Sequence, residues 1–243
     1  MKPPQALLFD LDDTLLDGSA LKESIVQTCE VIASSGLGLQ ATGLVEANSK
    51  IWPEYWREIE DKWTLGALDT ASLSLEAWRR TLRACGCDDE SLAQLAARTH
   101  SRLGRDARRL FRDVAVLLTA VKEARVQLGI VTNAASDTQR EKLRDLDLER
   151  WFDVVVISGE VGIAKPDAAV FGIALDKLKV ERESVWHVGD SLNTDVAGAK
   201  AAGIVAVWLN RRRLLRKERD PKPDLEIYSL SSLVPYFEEL LET

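Results

Sequence analysis

Asp10 and Asp12 stand two residues apart where the apolar run Ala6-Leu7-Leu8-Phe9 gives way to Leu11, Asp13 and Thr14. A buried strand that ends this way delivers acid groups to the rim of a sheet, where the ligands of open α/β folds collect. On a continued strand the two carboxylates would share a face, but the chain turns out of strand geometry here. They can then reach one small substrate from different directions. Asp and Thr also close strands and open turns, so the motif by itself leaves a purely structural reading open. The same grammar, an apolar strand running into a polar group, recurs at Ile130-Val131-Thr132-Asn133 and at Val185-Trp186-His187-Val188-Gly189-Asp190. In a parallel sheet the carboxyl ends of the strands lie on one side, so Asp10, Asp12, Thr132, Asn133 and Asp190 converge. Lys165, in the loop Gly162-Ile163-Ala164-Lys165-Pro166-Asp167, sits after another strand and before a helix and reaches the same edge. Taken singly, Lys165 also fits an exposed turn, Asp190 and Asp195 fit helix caps, and Thr132-Asn133 fits a turn. His187, alternating with Val188, reads as a packed histidine, and His100 lies in a polar helical stretch with no catalytic case.

The elements that must position these groups follow from periodicity. From Phe111 onward amphipathic helices alternate with short β-rich runs, the signature of crossover units and a mostly parallel sheet. Helical spacing covers about 113–124, 137–146, 167–178 and 194–202; strands follow at 127–131, 153–157, 184–188 and 204–209. A short strand near 225–228 leads to a closing helix near 232–241, with Ser231 or Ser232 as its N-cap. Between Asp17 and Arg105 the texture changes. No convincing strand occurs, and candidate helices cover about 20–34, 42–62, 71–84 and 90–104, with Gly36, Gly38 and Gly86 at the breaks. Because the first strand precedes this module and the remaining α/β material follows it, the helices read as an insertion into one sheet domain. The expected division is a core of 1–16 and 106–243 with a helical module of 17–105. Trp52, Trp56 and Trp63 recur on one helical stripe of the module, which predicts bundle core.

Composition bounds the rest. A chain of 243 residues, 46% hydrophobic, buries a substantial core without staples. Cys85 and Cys87 are separated only by Gly86, and no further Cys or His cluster completes a zinc site, so the cysteines read as reduced thiols in a cytoplasmic protein. Met1-Lys2-Pro3-Pro4 leads into a strand rather than a signal-peptide apolar region, and no segment approaches the roughly 20 apolar residues of a membrane span. A net charge of −7 argues against a nucleic-acid surface. The local basic cluster Arg211-Arg212-Arg213 with Arg216, Lys217 and Arg219 is interrupted by Asp220, Pro221, Pro223 and Asp224, which predicts a solvated loop.

Taken together, the dispersed motifs resemble the haloacid dehalogenase superfamily. Asp10-Leu11-Asp12-Asp13-Thr14 is similar to its first motif, Thr132 to its second, Lys165 to its third, and Gly189-Asp190-Ser191 with Asp195 to its fourth. The helical insert after the first motif resembles the family's first cap class. Thr138-Gln139-Arg140-Glu141-Lys142 and Gly189-Asp190-Ser191-Leu192-Asn193-Thr194-Asp195 resemble the branch containing N-acylneuraminate-9-phosphatase and pyrimidine nucleotidases.

The resemblance implies a Rossmann-like parallel-sheet α/β core with an inserted helical-bundle cap, and a phosphatase acting on a small phosphorylated metabolite. Asp10 would attack phosphorus, and Asp12 would protonate the departing alcohol and then activate water. That duty calls for an Asp12 pKa raised by the nearby carboxylates. Like charges about 4 Å apart repel by roughly 4 kcal/mol at an effective dielectric of about 20, so a carboxylate needs help to approach a phosphate dianion. Mg²⁺ would supply it, held by the Asp10 and Asp190 carboxylates and the Asp12 carbonyl. Lys165 would add positive charge, Thr132 and Asn133 would hold phosphate oxygens, and Asp195 would support the metal shell or its loop. The cap would close over the rim, making the loops near Asp17 to Ala20 and Trp52 to Trp63 sources of substrate choice. A monomer or homodimer without nucleic-acid or membrane partners is expected. A phosphomutase, a 2-haloacid dehalogenase of the same fold, or a phosphometabolite-binding protein without turnover are the alternatives.

Overall fold

The computed structural model describes residues 2–241; Met1, Glu242 and Thr243, at the outer ends of the expected core segments, and the side chain of Ala20 lie outside the description. Six strands form one parallel sheet in the order β3-β2-β1-β4-β5-β6. They are β1 (Ala6–Phe9), β2 (Gln127–Thr132), β3 (Val154–Ile157), β4 (Val185–Gly189), β5 (Val205–Leu209) and β6 (Leu225–Ile227). The first strand is central, paired with β2 on one side and β4 on the other. Residues Ala6, Leu7, Leu8 and Phe9 are all fully buried, as a strand covered on both faces requires. Leu7 and Phe9 point into one apolar layer with Leu117, Val121 and Phe237; Ala6 and Leu8 point into the other with Phe171, Ala174 and Trp208. Both layers belong to one Rossmann-like α/β fold.

Helices α1 (Ser19–Ala33), α2 (Ala41–Thr64), α3 (Thr70–Ala84) and α4 (Glu90–Asp106) occupy the chain between β1 and α5 (Val114–Glu123). They bury their own clusters, a main one around Trp78 with Cys29, Ile32, Leu44 and Leu82, and a smaller one of Tyr55, Ile59, Leu73 and Ala77. The tryptophan stripe departs from expectation. The buried stripe of α2 is Leu44, Asn48, Tyr55 and Ile59. Trp56 lies one position from Tyr55, about 100° round the helix, and the indoles form a ladder at the cluster's edge with Trp52 36% exposed.

The two chain passages between sheet and helices run side by side. Asp17 N–H donates to Arg109 C=O and Phe111 N–H to Leu15 C=O, each at 3.0 Å. Further contacts reach α6 (Ser136–Asp145) and the single turn α7 (Ser158–Val161). Thr70 donates its backbone N–H to Asp137, Ser158 Oγ donates to Thr64 C=O, and Arg105 and Arg108 pair with Glu141.

Two helices depart from the sequence reading. The expected 194–202 helix divides into a wide π turn, Leu192–Val196, and a short α9 (Ala197–Ala202), with α8 (Ala168–Leu178) preceding β4 as expected. The closing helix α10 starts at Val234 rather than 232, because Asp113 binds Ser229 Oγ and Leu230 N–H and forms a 3₁₀ turn first. Ser229, not Ser231 or Ser232, caps that turn. The basic cluster is not simply solvated either, since Arg211 makes a two-pronged pair with Asp113 at 2.8 and 2.9 Å and donates to Thr14 C=O.

Candidate active site

The ends of β1, β2 and β4 meet the loop after α7 at one rim, where buried charges concentrate. Lys165 Nζ, 4% exposed as a residue, lies 2.6 Å from Asp10 Oδ1 and 2.7 Å from Asp195 Oδ1. Asp195 Oδ1 also meets His187 Nε2 at 3.0 Å, and its Oδ2 accepts from Ser191 N–H. The π turn bends Asp195 back over the end of β4, and Gly189 makes room for it: a Cβ there would stand 2.2 Å from the Asp195 carboxyl carbon. An ionised carboxylate only accepts, so the neutral His187 imidazole presents Nε2–H to it and packs edge-on against Phe171. Asp190 is held by its backbone, whose carbonyl accepts from Trp208 Nε1 at 2.9 Å.

Asp10, Asp190 and Asp195 offer carboxylate oxygens within 4.8 Å of one another. Burial first, then the charges of Asp195 and Asp190, pushes the Asp10 carboxyl up to about 8 even though Lys165 pulls it down. Burial first, then the charges of Asp195 and Asp13, raises Asp190 to about 7. Asp195 goes the other way: burial opposes ionisation, but Lys165 and His187 hold it well below the usual carboxylate range. Lys165 correspondingly stays an ammonium, its burial outweighed by the two carboxylates it touches. Ionising all three carboxyls would place more negative charge at the rim than one buried lysine offsets, which is why Asp10 and Asp190 hold their protons so far up the pH scale. A set of hard oxygen donors in this state fits a divalent cation such as Mg²⁺.

Asp12 occupies a different environment from the expected one. Its half-exposed carboxylate receives Lys142 Nζ at 2.7 and 2.8 Å and Gln139 Nε2 at 2.9 Å. Partial burial pushes its pKa up, but the Lys142 ammonium and these hydrogen bonds bring it below the ordinary value. The expectation of a carboxyl raised by neighbouring acids is thus corrected: the acids gather at Asp10, and Asp12 faces a lysine. Gln139 Nε2 also donates to Thr132 Oγ1 at 2.8 Å. Asn133 stands at the rim with its carboxamide committed to the Lys165 backbone, donating to its C=O and accepting from its N–H, each at 2.8 Å. Gln139 and Lys142 are the groups that sequence reasoning left without a role. Their signal was the three-residue spacing that sets both on one face of α6.

The chain belongs to the haloacid dehalogenase-like hydrolase family, whose model matches residues 4–203. It is a hydrolase of this family. It is 34% identical over 242 residues to the phosphoserine phosphatase of Thermus thermophilus, covering 92% of this chain and 95% of the relative. Human N-acylneuraminate-9-phosphatase is 26% identical over 233 residues, covering 94% and 92%. Among solved structures, the magnesium-bound HAD hydrolase YfnB of Bacillus subtilis shares the fold with a TM-score of 0.74 at 24% identity, over 97% of this chain and 99% of that one. Among the described residues no helix is long and apolar enough to cross a membrane.

Proposed function

We propose that the protein is a Mg²⁺-dependent phosphatase that hydrolyses a small phosphate monoester through an aspartyl-phosphate at Asp10. The observation carrying this reading is the buried cluster in which Asp10 meets the Lys165 ammonium at 2.6 Å beside Asp190 and Asp195. Residues 1–16 and 106–243 serve as the catalytic core and 17–105 as a cap, in a cytoplasmic enzyme whose partner is a phosphorylated metabolite.

An Asp10 oxygen attacks phosphorus in line with the departing alcohol, and the P–O bond to that alcohol breaks. Lys165 holds Asp10 by one hydrogen bond and, at 2% side-chain exposure, lends its charge with little screening by water. Thr132, whose oxygen already accepts from Gln139, has its hydroxyl hydrogen left to donate to a phosphate oxygen. Asn133 acts one step back, fixing the Lys165 loop. Asp12 gives the alcohol its proton and later takes one from the water that attacks the phosphorylated Asp10. Its resting carboxylate takes up the first proton once a phosphate dianion stands beside it, because the added negative charge opposes the pull of Lys142. Mg²⁺, held by the Asp10 and Asp190 carboxylates and the Asp12 carbonyl with Asp195 bracing Lys165 behind them, would offset phosphate charge. Displacement of a carbon-bound halide needs neither the Asp190 carboxylate nor a proton donor at Asp12, which favours phosphate chemistry.

A panel of sugar, nucleotide, amino-acid and small-acid phosphates tests this with Mg²⁺ present. Phosphate release that disappears in Asp10→Asn while phosphate binding persists is the expected result. Well-folded wild-type protein inactive on the whole panel, or halide release that survives EDTA, overturns it.

A further inference from the structure

The strongest arrangement that the reaction scheme leaves unused lies on α6. Gln139 is fully buried, and its amide nitrogen donates both to Asp12 Oδ2 and to Thr132 Oγ1. Among the described residues its Oε1 is buried without a hydrogen-bond partner, an expense that a packing role would not need. Lys142, three residues on, places its ammonium on both oxygens of Asp12, so the carboxylate receives three hydrogen bonds from one helix face. That helix is itself held. Thr70 binds Asp137 and Thr138 at its start, and Arg105 and Arg108 bind Glu141 further along. A carboxylate gripped by two side chains through three hydrogen bonds from an anchored element has one orientation, the condition for moving a proton at a defined point.

Resting on the phosphatase reading, we propose that Lys142 and Gln139 are positioning residues that hold the Asp12 carboxylate for the second half of the reaction, the attack of water on the phosphorylated Asp10. In that step the water oxygen bonds to phosphorus, the bond between phosphorus and the Asp10 oxygen breaks with its electrons returning to Asp10, and the water proton goes to Asp12. The first half depends on the same grip only as far as the leaving group needs a proton. A para-nitrophenyl ester leaves as its own stable anion, so with this substrate the grip bears on the second half alone.

The test is a stopped-flow comparison of wild type and Lys142→Met with para-nitrophenyl phosphate and Mg²⁺, with acid-quenched protein assayed for bound phosphate. Lys142→Met is expected to release about one para-nitrophenolate per active site in a burst whose rate stays within about threefold of the wild-type transfer rate. Its steady-state rate falls at least about tenfold, and phosphorylated protein accumulates. Lys142→Gln keeps one donor and is expected to fall between the two, which also serves if the Met variant melts early. Burst and steady state falling together, or neither changing, overturns the proposal, since a merely structural residue or a phosphate ligand acts on both halves. A wild type that turns over while the variants match it removes this inference alone; a wild type that releases no phosphate removes the phosphatase reading beneath it.

Discussion

Replacing Lys165 by Met removes the ammonium that touches both Asp10 and Asp195 while keeping about the volume of its side chain. Each contact, at 2.6 and 2.7 Å, is worth about 6 kcal/mol gross at an effective dielectric of about 20. Most of that attraction offsets the cost of burying an ammonium that is only 2% exposed. What remains after the substitution is a buried group of carboxylates without its cation, and breaking a buried pair from one side costs about 3–5 kcal/mol. The deficit depends on pH with a definite sign. Lys165 lowers both Asp10 and Asp195, so its loss moves both folded-state values upward. A carboxyl whose folded pKa lies above its unfolded one makes the fold weaker as pH rises between the two. Between pH 4 and pH 8 the difference between variant and wild type therefore grows with pH, because the variant's Asp10 and Asp195 hold protons that the wild-type carboxyls, lowered by Lys165, have already shed. Urea unfolding followed by far-ultraviolet circular dichroism, in EDTA, reads it directly. A loss of about 4 kcal/mol moves the midpoint down by about 1.5 M at pH 8. Equal midpoints at pH 8, or a deficit that grows toward acid, would refute the account of Lys165 as the counter-charge of the site.

Three further outcomes follow from the same geometry. Without a divalent cation, Asp10 at about 8 and Asp190 at about 7 make the fold lose stability as pH rises from about 4 to about 8; the upward shift in Tm on adding Mg²⁺ is then larger at pH 8 than at pH 5, and equal shifts contradict it. Gly189→Ala sets a methyl 2.2 Å from a carboxyl tied on three sides, so a cost of about 1–3 kcal/mol by thermal melting and a loss of phosphate release are expected, and unchanged values of both count against the packing argument. His100, lowered by burial from 6.5 to about 4, is neutral in the fold; the unfolded chain takes up its proton below pH 6.5, so its contribution is lost as pH falls toward 4, by at most about 3 kcal/mol, and the stability difference between His100→Phe and wild type should show that slope.

The parts of the site legible in the sequence were those at strand ends. Asp10, Thr132 and Asp190 each follow an apolar run, and parallel pairing of β1 with β2 and β4 brings those ends together by topology alone. Asp195 was legible as a residue but not as a neighbour of Lys165, because the π turn that returns it to the rim leaves no periodicity to read. The tryptophans of α2 misled for a related reason. Size and spacing marked a stripe, but the position of the buried stripe is set by α3, whose Leu73 and Ala77 pack with Tyr55 and Ile59.

The environment of Asp12 was hidden for a deeper reason. Asp12 and Lys142 are 130 residues apart, and nothing local to either marks the pairing. A lysine in the last turn of an amphipathic helix reads as a solvated cation that complements the helix dipole. Here the helix begins just after Asn133, whose carboxamide ties the end of β2 to Lys165, so its first turns are fixed over the rim and Lys142 reaches across to β1's end. The two lysines divide the work accordingly. Lys165 is sealed between Asp10 and Asp195, where charge is least screened, and Lys142 grips an acid that stays half open to solvent, where a proton can still arrive and leave. That separation lets two carboxylates only two residues apart have opposite properties, Asp10 pushed up by burial and its acidic neighbours and Asp12 drawn down by a lysine.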